Sequence, residues 1–169
     1  PLACRVLTQP RTPGQAQMTV TRLCYRSTLD YSKMTLPLDE EINRLLAYAR
    51  ANNARKGITG ALLLAGSTFF QLLEGPDVDV RETFARIQDD SRHKNFVLID
   101  ERVDTERLMP HQWLFFTDTM DAYDGVLASL FLPIANTPEL VGYDDLVSVM
   151  MFSATRVARG FETRDVMRA

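Results

Sequence analysis

The chain has 169 residues, 46% of them hydrophobic, with 19 Lys and Arg against 22 Asp and Glu and a formal charge of −3. This suffices for one ordinary domain with a real core and a modest extension, and it leaves no basic footprint for a nucleic-acid backbone as main partner. Cys4 and Cys24 are too few for a disulfide scaffold and share no metal-ligand spacing with His93 or His111, so no metal is expected and the setting reads as reducing and cytoplasmic.

Residues 1–17 carry three prolines and no periodic apolar pattern, and are expected to be a disordered leader rather than a signal peptide. The run from Val20 to Tyr25 predicts a first strand, with Leu23, Tyr25 and Ser27 on one face and Arg22, Cys24 and Arg26 on the other. Pro37, the acidic Asp39, Glu40 and Glu41, and the spacing Leu38, Ile42, Leu45, Leu46, Ala49 predict a helix ending near Asn53, before Gly57. Ile58 to Leu64 and Thr68 to Glu74, separated by "AGS", predict a hairpin. Pro76 and Asp77 open a second helix whose buried side is Val80, Phe84 and Ile87.

Phe96 to Ile99 and Trp113 to Phe116 predict a fourth and a fifth strand. Two C-terminal helices follow, around Val126, Leu127, Leu130 and Phe131 and around Leu146, Val147, Met150 and Met151, with the loop "PIANTPELVG" between them. The longest apolar run, Val126 to Ala135, is far short of the ~20 residues of a membrane span, so no membrane is expected as a partner. The expected organisation is a folded unit over 18–119, a helical extension over 120–160 and a tail over 161–169. The order βαββαββ fits an α+β, ferredoxin-like sandwich with two helices on one sheet face. Phe70, Leu72 and the apolar "WLFF" make the other face hydrophobic too, and the C-terminal helices are the expected cover.

"FFQLLEGP" sets an amide at the centre of an otherwise apolar strand, and an amide has four hydrogen-bonding sites to satisfy once water is gone. Period-two parity puts Phe69, Gln71 and Leu73 on one face. If that face and the Tyr25 face both look toward the helices, phenol and carboxamide meet beneath them. Asn52 and Asn53 at the end of the first helix, with Arg86 and Asp90 one turn apart on the second, would complete a polar lining wide enough for a flat heterocycle. Each has a plainer reading: Tyr25 as a core tyrosine, the asparagines as helix caps, Arg86 and Asp90 as a solvated pair, His93 as a surface residue. On the residues alone the result is a ligand-binding α+β domain.

The segments "RLCYRS" (22–27), "ARANNARKGITGALL" (49–63), "FFQLLEGP" (69–76) and "RIQDDSRH" (86–93) closely resemble BLUF domains, blue-light sensors that bind FAD. The resemblance implies FAD between the two helices and no enzymatic turnover. It assigns light-driven electron and proton transfer to Tyr25 and a hydrogen-bond rearrangement to Gln71. It also assigns flavin-ring binding to Asn53, with Asn52 adjoining, and the ribityl and phosphate side to Arg86 and Asp90. Ser27, Arg92 and His93 are weaker correspondences.

The fifth strand departs from the family pattern of a tryptophan, one intervening residue and a methionine. Counted without gaps, Gln112 takes the tryptophan position and Leu114 the methionine position, with Trp113 one place late. Either a bulge restores the register or Trp113 points away from Gln71. Trp113 and Leu114 are the expected route of signal transmission. The expected function is a short photoreceptor acting through a downstream signalling protein, as a homo-oligomer. A flavin-dependent oxidoreductase, a non-photoactive ligand-binding module and an RNA-binding module are the competing readings.

Overall fold

The computed structural model describes residues 19–118 and 125–166. The sequence expectations for residues 1–17, and for the boundary between the folded unit and its extension near residue 120, fall outside them. Its elements are β1 (Val20–Leu29), a short 3-10 turn (Tyr31–Lys33), α1 (Leu38–Lys56), β2 (Thr59–Ala65), β3 (Thr68–Gly75), α2 (Asp77–Gln88), β4 (His93–Asp104), β5 (Phe115–Asp118), α3 (Gly125–Asn136), a second 3-10 turn (Pro138–Leu140) and α4 (Tyr143–Val166). The sheet runs β4-β1-β3-β2-β5, antiparallel except where β5 lies parallel to β2. The expected α+β, ferredoxin-like architecture is the one observed.

Local sequence explains the helices. Asp39, Glu40 and Glu41 occupy the first turn of α1, where the helix dipole favours negative charge, and Arg55 and Lys56 the last. Helix α1 outruns its predicted end near Asn53 and stops at Gly57, which takes a left-handed conformation (φ 63°) that costs glycine little. The central strands explain the uninterrupted apolar runs: every residue of β2 and β3 is buried, because helices cover both faces.

Leu23, Tyr25, Phe69, Leu73 and Leu62 look toward α1 and α2, whereas Cys24, Ala61, Leu63, Phe70 and Leu72 look the other way. There they meet Phe131 and Ile134 of α3 and Leu146, Val149 and Met150 of α4, so the C-terminal helices do cover the second face. Of the residues expected to supply that contact, Leu130 is exposed, and the side chain of Leu127 lies outside the described residues. Helix α3 continues through Pro133, which the sequence placed in the connecting loop. Pro133 costs the helix one N–H, yet its own carbonyl still takes bonds from Thr137 N (3.1 Å) and Thr137 Oγ1 (2.9 Å). Helix α4 extends to Val166, into the segment read as a tail.

Three strand boundaries also move. β1 reaches Leu29 rather than Tyr25, and β4 spans His93–Asp104, so His93 opens a strand instead of trailing a helix. β5 begins at Phe115, two residues later than predicted, because the preceding loop is tied down first. The tie is Glu74, wholly buried, whose carboxylate accepts from Arg22 Nε (2.8 Å), Leu108 N (2.8 Å) and Met109 N (2.9 Å). The same Arg22 guanidinium donates to Tyr143 Oη (3.2 Å) at the start of α4 and to the Glu106 carbonyl (2.9 Å). Arg107 donates to the carbonyls of Glu74 (2.9 Å) and Gly57 (2.7 Å). Replacing Glu74 with Ala strands a buried guanidinium and two amides, so Glu74→Ala is expected to lose about 3–5 kcal/mol of stability. Urea unfolding of the variant checks this, and a loss below ~1 kcal/mol would show that the network carries little.

Candidate functional site

The helix-facing side of the sheet is not fully packed. A cavity of about 180 Å³ lies between α1 and α2, walled by Leu45, Ala49, Asn52 and Asn53 from α1, and by Thr83, Arg86 and Ile87 from α2. Leu62 and Gln71 form its floor, and Leu114, Asp90, Arg92 and His93 close its ends. Tyr25 and Gln71 are register partners on adjacent strands, so their side chains stand side by side. Tyr25 Oη donates to Gln71 Oε1 in a short hydrogen bond. Gln71 lines the cavity, and Tyr25 is held behind it against Phe84 (ring centroids 4.9 Å apart) and Phe96 (5.8 Å). Burial pushes the Tyr25 phenol well above its ordinary range, with Cys24 and Asp90 adding to the rise. It is therefore a neutral donor, and with Oε1 taken the amide N–H groups of Gln71 are left for the cavity.

The two asparagines are neither the helix cap nor equivalent. Gly57 caps α1, while Asn53 Nδ2 donates to the Trp113 carbonyl (2.7 Å) and so pins the approach to β5. Asn52 Oδ1 accepts from Arg55 (2.8 Å) and Arg86 (3.1 Å), which turns its Nδ2 to the cavity with no partner. Thr83 Oγ1, on the opposite helix, is also buried without a partner. Leaving a buried polar atom unpaired costs about 1–3 kcal/mol, and two of them facing one cavity is the signature of a ligand with polar edges. A flat heteroaromatic ring with exocyclic oxygens and ring nitrogens fits this donor set, so the residues present suit a flavin.

Several expectations need correction. Asp90 is not on α2, which ends at Gln88; it sits in the following turn and binds Arg92 through Nε (2.9 Å) and Nη2 (2.6 Å). Arg86 and Asp90 are thus not a helical pair. Burial pushes the Asp90 carboxyl up, but the hydrogen bonds from Arg92 outweigh it and hold the group below its ordinary value. Ser27 does not wall the cavity; it reaches it only through His93, whose Nδ1 lies 2.9 Å from Ser27 Oγ. Trp113 is 47% exposed and outside the cavity, whereas Leu114 is buried and lines it. The gapless count is therefore the one that matches this face. Thr83 escaped notice in the sequence, although its spacing from Arg86 and Ile87 puts all three on one helical stripe.

Over residues 20–114 the chain matches the BLUF family, described as sensors of blue-light using FAD. It belongs to this family. It is 37% identical over 78 residues to the blue light- and temperature-regulated antirepressor BluF of Escherichia coli (strain K12), a stretch covering 46% of this chain and 18% of that protein. It is 30% identical over 114 residues to the photoactivated adenylate cyclase subunit beta of Euglena gracilis, covering 67% of this chain and 13% of that one. The dark-state structure of BlrB, a BLUF protein, superposes with a TM-score of 0.67 at 28% identity, covering 79% of this chain and 96% of BlrB. This BLUF domain is a flavin-binding blue-light sensor module, and its ferredoxin-like fold is that of its relatives.

At the edge of the BLUF cavity His93 stacks on Phe69 (4.9 Å) and Phe96 (5.9 Å). Burial pushes its imidazole down to about 4; Asp90 opposes the shift and Arg92 adds to it. An unfolded histidine titrates near ~6.5, so between about pH 6.5 and 4 the unfolded chain binds the extra proton. The stabilising contribution is complete above that window and is lost as pH falls through it. A drop on the order of 1–3 kcal/mol is expected across the window, and His93→Gln should flatten it. Urea midpoints at about pH 7 and about pH 4.5 decide the matter; equal slopes in both proteins would assign the loss elsewhere.

Proposed function

We propose that this BLUF domain turns blue-light absorption by bound FAD into a rearrangement of the Tyr25–Gln71 hydrogen bond, and passes that change to a partner protein. The observation that carries the reading is an order in space: a buried phenol, the amide that accepts its hydrogen bond, and the cavity that the amide lines. When bound, the flavin supplies a light-generated oxidant strong enough to draw an electron from a phenol. Tyr25 can give up that electron only if its proton has somewhere to go, because burial disfavours any charge left behind. Gln71 Oε1 already holds the bond along which the proton moves.

Gln71 presents an acceptor at one end and two donors at the other. By rotating or tautomerising it can exchange what it offers to Tyr25 for what it offers to the cavity, while the buried β3 backbone stays in place. Leu114 lines the same cavity, and its carbonyl accepts from Arg50 Nε (3.0 Å), so the residues leading into β5 can register the exchange. Asn52, Asn53 and Thr83 hold the ring in this reading, and Arg86, Asp90 and His93 hold the ribityl side.

FAD as the preferred flavin is supported by the family description. A homodimer or larger assembly is supported by the apolar residues left exposed on and between α3 and α4, among them Leu132, Leu140 and Phe152. A cytoplasmic setting is supported by a free, buried Cys24. Among the described residues no helix is long and apolar enough to cross a membrane.

Tyr25→Phe and Gln71→Ala should each retain flavin yet lose the reversible red shift of its absorption band, read in a light-minus-dark spectrum. A normal shift in both variants would refute the assignment. Asn52→Ala and Asn53→Ala should instead weaken flavin retention by about 1–3 kcal/mol, since each removes a buried polar group that lines the cavity. Flavin-to-protein ratios after purification check this.

A further inference from the structure

Helices α3 and α4 cover the sheet, and between them they leave a groove of about 350 Å³. Leu130 and Pro133 of α3, Leu140 of the second 3-10 turn and Val149 of α4 make it apolar, and Asp145 and Ser148 of α4 add its polar lining. Leu140 is 75% exposed and Leu130 37%, so an apolar wall stands open to solvent. Asp144 lies 3.8 Å from Arg102, whereas Asp145 makes no ion pair among the described residues. The sequence holds no Lys or Arg between Arg107 and Arg156, so the helices around the groove have no cation to give it. A place in the first turn of α4 suits a carboxylate, because of the helix dipole, but leaves the apolar wall beside it unexplained.

The spacing 145, 148, 152 is one stripe on α4, and Phe152 on that stripe is 39% exposed. The helix runs on to Val166, and its period carries the stripe to positions 156 and 159, where the sequence has Arg. The order along the stripe is acid, apolar, base, with Phe152 midway between Asp145 and Arg159. A twofold axis through Phe152 turns that order into its own complement: Asp145 meets Arg159 of the partner subunit at both ends, and Phe152 meets its own copy. Arginine suits such a groove, because its methylene stem packs along an apolar wall while its guanidinium binds a carboxylate. An unrelated basic partner would match only the acidic end, whereas a second copy of this chain matches both.

We infer that the groove between α3 and α4 seats the α4 helix of a second copy, packed antiparallel about Phe152, with Asp145 paired to Arg159 of the partner subunit. The inference rests on the protein being a homo-oligomer, and it fixes the face and the register of the pair. Arg22 holds α4 at Tyr143 and is itself bound to Glu74, so this face is joined directly to the strand that carries Gln71.

The test is sedimentation velocity of the purified protein in the dark at about 0.15 M ionic strength. The wild type should sediment as a dimer. Asp145→Arg sets like charges opposite one another at both ends of the pair, as does Arg159→Asp, and each variant alone should dissociate about tenfold more readily. An equimolar mixture of the two variants should recover the dimer, since each supplies the charge that the other lacks. The double variant Asp145→Arg/Arg159→Asp should recover it as well, a result that damage to the fold would not give. Single variants that dimerise as tightly as the wild type, or that stay apart when mixed, would overturn the inference and assign the assembly to another face. A wild-type chain that is monomeric at about 100 μM would remove the homo-oligomer reading and the inference with it.

Discussion

The hydrogen bond from Tyr25 to Gln71 is possible only because β3 is buried along its whole length. An amide on an exposed strand would be satisfied by water, and its orientation would carry no information. In a central strand with helices over both faces, each end of the amide must find a protein or ligand partner or cost free energy. Tyr25 satisfies one end, and the other is satisfied only by what enters the cavity. In the proposed reading, the orientation of that one side chain is a two-valued quantity tied to the occupant of the site, which is what a sensor needs from a rigid scaffold.

The same strand links that quantity to the rest of the molecule. Three residues beyond Gln71, and so on the opposite face, Glu74 binds the amides of Leu108 and Met109 and the side chain of Arg22, which reaches Tyr143 at the start of α4. The loop before β5 is therefore anchored twice. Its early part is held to Glu74, and its last part to α1 through Asn53 and Arg50, which bond the carbonyls of Trp113 and Leu114. Between these anchors the Gln112 carbonyl accepts from Gly60 N (3.0 Å). A segment held so closely on one side, with Leu114 lining the cavity on the other, has little freedom to move independently of either.

Much of this was legible in the chain itself. Parity in "RLCYRS" and "FFQLLEGP" grouped Tyr25 with Leu23 and Ser27 and Gln71 with Phe69 and Leu73, so phenol and carboxamide meet if both faces look toward the helices, because a period of two is a local property. What the sequence could not show was how the ends of elements are decided by distant partners. β5 starts late because Glu74 and Asn53 claim the residues before it; His93 joins a strand because Ser27 and Phe69 hold it; Asp90 leaves the helix because Arg92 wraps back on it. The question left open for the fifth strand, whether Trp113 or Leu114 faces Gln71, was of the same kind. One residue of slip reverses the faces, and the hydrogen bond from Asn53 to the Trp113 carbonyl accompanies a buried Leu114 and an exposed Trp113.

The cavity and the exposed surface beside it obey different physics. Around Gln71 the side chains of Tyr25, Leu62 and Phe69 are buried and carry no charge, so hydrogen-bond geometry decides which way the amide points. Lys33 and Arg44, by contrast, are exposed, so their charges are screened over about 8–10 Å. Asp90, Arg92 and Glu41 form the boundary between the two regimes, a linked row of ion pairs. Arg86, on the cavity side of that row, is held by Asn52 Oδ1 rather than by a carboxylate, so its positive charge faces the cavity while the phenol and amide beneath it stay neutral.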